Sequence, residues 1–74
     1  MLEELKNIIC EYVEIDPESI TESSDLRSDL GFNSLDAINL AVSLEEAFGV
    51  PVSNNDMAAL YTVGDIIRFI ESKK

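Results

Sequence analysis

From Leu2 to Val13 the apolar side chains fall at Leu2, Leu5, Ile8, Ile9, Tyr12 and Val13, which is the three-four spacing of one helical face. The spacing predicts a first helix over these residues. Glu3 and Glu4 in its first turn complement the helix dipole, and Asp16-Pro17 limits its extent because the residue before a proline avoids the α region. Between Ile15 and Asn33 no period survives: Ser, Thr, Asp and Glu dominate, with Ile20, Leu26 and Leu30 isolated among them. This reads as a long loop with room for one helical turn. Loops beyond roughly a dozen residues are uncommon in compact domains unless they are functional. The isolated apolar residues are therefore expected to pin the loop across the helix ends.

Helical spacing resumes at Ser34 and runs to about Phe48, with Asn33 or Ser34 as N-cap and Gly49 as the C-terminal stop. Val50-Pro51-Val52 forms a short extended connector. Ser53, Asn54 or Asn55 can then cap a short third helix through Asp56, Met57, Ala58, Ala59 and Leu60, a piece too short to persist without tertiary contacts. Thr62-Val63-Gly64-Asp65 has capping-box spacing, and Val63, Ile66, Ile67 and Ile70 follow at helical intervals. Lys73 and Lys74 close that last helix where positive charge suits the dipole. The expected architecture is all-α: a small up-and-down four-helix bundle of three longer helices and one short, crossed by a long first loop, in a single domain spanning 1–74.

The second helix carries two apolar faces. At about 100° per residue, Ala37, Leu40, Ala41, Leu44, Ala47 and Phe48 share one stripe, which is assigned to the core. Leu35, Ile38 and Val42 form another on nearly the opposite side, with Asp36, Asn39, Glu45 and Glu46 around it. A domain this small can hardly bury both. The outer stripe, bordered by carboxylates, reads as a docking surface whose charges steer a basic partner while the aliphatics supply buried contact, although scattered surface aliphatics also occur without any role.

Composition narrows the chemistry. Seventy-four residues lie near the lower limit for a single unstapled core, and 46% apolar residues argue against disorder. With one cysteine and no histidine there is no internal disulfide, no Cys/His metal set and no base for a nucleophilic serine. Cys10 lies at the margin of the first stripe as a packing residue. The order of Glu22, Asp25 and Asp29 does not make a calcium loop. Fifteen acids against five bases give a formal net charge of −10, which disfavours nucleic acid and anionic membranes and favours partners with basic patches. The same like charge argues for a monomer. Glu3 and Glu4 directly after the start exclude a secretory signal, and no apolar run reaches membrane-spanning length, so a cytoplasmic protein without membrane insertion is expected.

The most informative stretch is Leu30-Gly31-Phe32-Asn33-Ser34-Leu35-Asp36: a serine at the mouth of a helix, just after a glycine turn. Unpaired amides and the positive dipole end suit an anion there. Taken by itself, a serine in this position is most often only a cap. This stretch resembles the Asp-Ser-Leu attachment motif of acyl carrier proteins. The likeness extends over nearly the whole chain, through Leu44-Glu45-Glu46-Ala47-Phe48-Gly49-Val50 and Thr62-Val63-Gly64-Asp65-Ile66, with Asn33 standing where that family usually has aspartate.

The resemblance implies that Ser34 is the attachment point of 4′-phosphopantetheine, added by a phosphopantetheinyl transferase. It implies a carrier without catalytic activity, holding acyl groups as thioesters in fatty-acid or related acyl metabolism. It implies that acyl-processing enzymes engage the second helix, through Leu35, Asp36, Ile38, Val42, Glu45 and Glu46. It further implies an acyl chain sheltered between helices, carried onto Leu26, Leu40, Leu44, Val52, Met57, Leu60 and Ile67, although a fully packed core is the expectation for the unloaded protein. Asp36 is expected to contribute to magnesium only within a transferase complex, not as a metal site of the free chain. Two alternatives stay open: a dedicated carrier for a specialised polyketide, aminoacyl or other small-acyl pathway, which the Asn33 variant makes a real possibility, and an unmodified acidic helical adaptor in which Ser34 only caps.

Overall fold

The computed structural model describes residues 1–73, so Lys74, expected at the end of the last helix, lies outside the described residues. Among the described residues there are four α-helices, α1 (Leu2–Ile9), α2 (Ser34–Phe48), α3 (Asn54–Ala58) and α4 (Val63–Lys73), with a 3-10 turn at Pro17–Ser19 in the long loop. The chain is the expected all-α four-helix protein. None of the described helices is long and apolar enough to cross a membrane.

α1 ends at Ile9, short of the Val13 that its apolar spacing suggests. The stripe continues without α geometry: the Tyr12 and Val13 amides both donate to the Ile9 carbonyl, at 3.0 and 3.2 Å. Such mixed closure satisfies the last carbonyls of a helix. Contacts with α2 set the position of this turn, since the Tyr12 hydroxyl pairs with Ser43 and its ring meets Phe32 edge-on at 6.2 Å. α3 likewise stops at Ala58, two residues early, with the Leu60 amide closing on the Met57 carbonyl at 3.1 Å.

Each later helix start is built from local side chains. Ser53 caps α3 and Thr62 caps α4, each exchanging hydrogen bonds with an aspartate three residues on, Asp56 and Asp65 respectively. Gly49 ends α2 in the left-handed region, φ 68°, which a residue without Cβ adopts freely. The core joins Leu5 and Ile9 of α1, Leu40, Ala41 and Leu44 of α2, and Val63, Ile66, Ile67 and Ile70 of α4. Ala47, assigned to the core stripe, is exposed: it sits at the edge of the apolar arc, while Ala37 and Phe48 are half-buried.

The loop is a structural layer. Ile20, Leu26 and Leu30 are buried as expected, and Phe32 joins them. Backbone bonds tie it to the start of α4: Leu26 N–H to the Tyr61 carbonyl (2.8 Å), Val63 N–H to Ser24 (3.1 Å) and Gly64 N–H to Glu22 (2.7 Å). Asp25 and Thr62 form an isolated antiparallel bridge within this seam. The seam fixes the loop that leads into α2.

Candidate functional site at the start of the second helix

Asn33, not Ser34, caps α2. Its side-chain oxygen accepts from the Asp36 amide at 2.8 Å, and the Asp36 carboxylate accepts the Asn33 amide at 3.3 Å, a complete capping box. Gly31, at φ 77°, turns the chain out of the loop immediately before the cap. Ser34 is therefore the first helical residue. It is exposed, and its hydroxyl makes no hydrogen bond among the described residues. The Ser34 and Leu35 amides have no intrahelical acceptor because they belong to the first turn, so the hydroxyl sits at the positive end of a fifteen-residue helix.

The outer stripe stands free of the core: Leu35 is 65% exposed, Ile38 45% and Val42 51%. Asp36 is half-buried beside its capping partner, and Glu45 and Glu46 are exposed. Glu45 has a structural task that spacing did not reveal. Its carboxylate accepts the Val52 amide at 2.8 Å, holding the connector against the end of α2.

Two cavities flank this helix start. The inner one, about 20 Å³, is lined by Asp25, Leu26, Arg27, Phe32, Asn33, Ala37, Met57, Leu60 and Tyr61, and has room for about one water. The outer one is open, about 190 Å³, and is lined by Arg27, Ser34, Ala37, Ile38, Asn54, Met57 and Ala58. Of the residues expected around an acyl chain, Leu26, Met57 and Leu60 border the inner cavity, and Met57 borders the outer as well. Leu40, Leu44, Val52 and Ile67 are buried in the core and line neither. Arg27 and Tyr61 were not singled out by sequence reasoning. Arg27 was legible only as the one base in a long acidic stretch.

Three carboxyls in the surrounding turns are held below the usual aspartate range. For Asp25 the main cause is hydrogen bonding from the Ser28 and then the Arg27 amide, for Asp56 the Ser53 amide and hydroxyl, and for Asp65 the Tyr61 amide. All three are capping or turn-forming acids.

A family model described as the phosphopantetheine attachment site matches residues 3–70. An acyl carrier protein of Wolinella succinogenes is 34% identical over 74 residues, covering 100% of this chain and 97% of that one. Among solved structures, a candidate acyl carrier protein of Mycobacterium tuberculosis superposes with a TM-score of 0.85 at 31% identity, covering 96% of this chain and 95% of that one. An acyl carrier protein of Enterococcus faecalis, whose structure was described for its high thermal stability, gives 0.84 at 26% identity over 99% and 92% of the two chains.

The chain belongs to the acyl carrier protein family, the phosphopantetheine-bearing carriers. Such proteins are carriers, not enzymes; they work with transferases and acyl-processing enzymes. The α2 start fits the prosthetic group, offering an unengaged hydroxyl, two first-turn amides for a phosphate and an open groove alongside.

Proposed function

We propose that Ser34 carries the 4′-phosphopantetheine arm, received from coenzyme A through a separate transferase, and that residues 1–74 act as one carrier domain for acyl groups in fatty-acid or related acyl metabolism. The observation that carries this reading is the division of labour at the helix start. Asn33 does the capping, so Ser34 is left with an exposed hydroxyl that the fold does not need. When bound, the group supplies a terminal thiol that holds an acyl chain as a thioester. The chain's own part is to present that arm and to be recognised.

Recognition falls to the exposed stripe. Leu35, Ile38 and Val42 offer apolar contact, and Asp36, Glu45 and Glu46 lie on the same helix for basic patches on partner enzymes. Rim charges raise association rates more than lasting affinity, which suits a monomeric shuttle in the cytoplasm that visits several enzymes. Asn33 favours a second reading within the same class, a dedicated carrier for a specialised polyketide or aminoacyl pathway, since it removes a negative charge beside the attachment point while keeping the cap.

Incubation with coenzyme A and a broad-specificity transferase, followed by intact mass spectrometry, tests the assignment. One phosphopantetheine is expected on the native chain and none on Ser34→Ala. A native chain that stays unmodified with several competent transferases refutes it, and modification of Ser34→Ala moves the site elsewhere. The acyl group found on protein isolated from its host distinguishes the two pathways.

A further inference from the structure

Fifteen acidic residues make this chain a poor neighbour for one more anion, yet the proposed attachment puts a phosphodiester on α2, two residues from Asp36. Between Glu11 and Asp56 eleven acids are accompanied by a single base, Arg27. That base borders both cavities at the α2 start, and it lines the outer groove together with Ser34. Its guanidinium makes no hydrogen bond or ion pair among the described residues.

One oxygen of the Asp25 carboxylate accepts the Arg27 amide at 2.8 Å and the Ser28 amide at 2.9 Å, and the carboxylate feels the guanidinium only as a nearby charge. One oxygen of the Asp29 carboxylate accepts the Asp25 amide at 2.7 Å. The loop thus uses the acids nearest Arg27 in sequence to fix the turn that carries it.

Resting on the assignment of Ser34 as attachment point, we infer that Arg27 is a positioning residue that holds the phosphodiester of the arm. A guanidinium and a phosphate match in charge and in fork geometry, and a phosphodiester keeps its charge throughout the working pH range. Besides Arg27 and Ser34, the groove is lined by Ala37, Ile38, Asn54, Met57 and Ala58. A phosphate drawn to Arg27 turns the arm toward that groove, between α2 and α3, and away from the exposed stripe of Leu35 and Val42. Leu35 and Val42, which do not line the groove, are thereby left open to a partner while the arm is parked.

The test is phosphorus-31 spectroscopy of the holo protein, with mass spectrometry confirming full modification. The wild-type resonance is expected to lie away from that of free phosphopantetheine diester and to move toward it as salt is added, because a solvent-exposed ion pair is screened. Arg27→Gln is expected to lie nearer the free position and to respond less to salt, the first-turn amides being unchanged, and Arg27→Lys to fall between. A wild-type resonance at the free position, or one identical in Arg27→Gln, overturns the inference while leaving the attachment intact. A chain that takes no phosphopantetheine at all overturns both, and does so at the mass measurement. The salt response of the wild type stands even if a variant fails to fold.

Discussion

Two substitutions two residues apart on α2 separate its inward and outward faces. Leu44 is 0% exposed, enclosed in the shared core of α1, α2 and α4, and truncation of such a leucine to alanine costs about 2–5 kcal/mol. A chain of 74 residues has a total stability on the order of 4–11 kcal/mol. Leu44→Ala therefore removes a large share of it, and a loss of about 3 kcal/mol lowers the melting midpoint by roughly 12–24 °C. Val42 is 51% exposed. Val42→Glu gives up about half of a valine's burial, gains slightly in helix propensity, and adds like-charge pairs with Glu45 and Glu46 at about 0.2–0.5 kcal/mol each, for a net cost on the order of 1 kcal/mol. Urea unfolding followed by circular dichroism checks both, with unchanged m-values as the sign that each variant still unfolds as one unit. In parallel, Val42→Glu should slow transferase modification or acyl loading, and Leu44→Ala, where folded, should not. A Val42→Glu variant that melts as early as Leu44→Ala would show that the outer stripe is structural and refute the docking reading.

The turn acids predict acid sensitivity. Asp25, Asp56 and Asp65 have folded pKa values below their unfolded ones, so their contribution is complete above the ordinary carboxylate range of about 4 and is lost as pH falls through the lowered values. Thermal midpoints should drop below about pH 4, less steeply in Asp65→Asn; an unchanged slope there counts against the capping account. Near neutral pH, self-repulsion at net charge −10 should make the midpoint rise with added salt or millimolar divalent cation, and a flat salt series would contradict this. Asn33→Ala should cost about 1 kcal/mol by thermal denaturation, whereas Asn33→Asp should hold stability nearly constant and speed modification by a broad-specificity transferase.

What was legible in the sequence is what repeats. α2 and α4 show in their spacing because a buried helix face recurs every three or four residues. The capping box of α4 shows for a related reason, since donor and acceptor lie three residues apart, whereas Ser53 was one of three possible caps for α3 until its exchange with Asp56 was seen. The seam between the long loop and α4 is different: Ser24 and Val63, or Leu26 and Tyr61, are far apart in the chain and pair through backbone atoms that every residue owns. No side-chain pattern marks them. Phe32 is a lone aromatic with no periodic companion, and its burial follows only from Tyr12 and the loop meeting it. At the site, Asn33 and Ser34 are both good caps, and choosing between them needed the backbone of Gly31 and the Asp36 carboxylate in space. Glu45 and Arg27 were visible as charges but not as a brace and a groove lining.

The arrangement also explains how so small a chain can offer a reactive position without loosening its fold. With one cysteine, stability rests on packing, and the inward face of α2 is committed to it through Leu40, Ala41 and Leu44. The apolar stripe of Leu35, Ile38 and Val42 and the Ser34 hydroxyl are uncommitted, since Asn33 and Asp36 cap each other without drawing on Ser34. The modification proposed at Ser34 would therefore break no hydrogen bond among the described residues, and a partner resting on Leu35, Ile38 and Val42 as proposed need not open the core. Arg27 shares this independence, since Asp25 fixes its backbone and the loop seam fixes Asp25 against Thr62. The proposed chemistry is thus mounted on groups whose rearrangement costs the fold little.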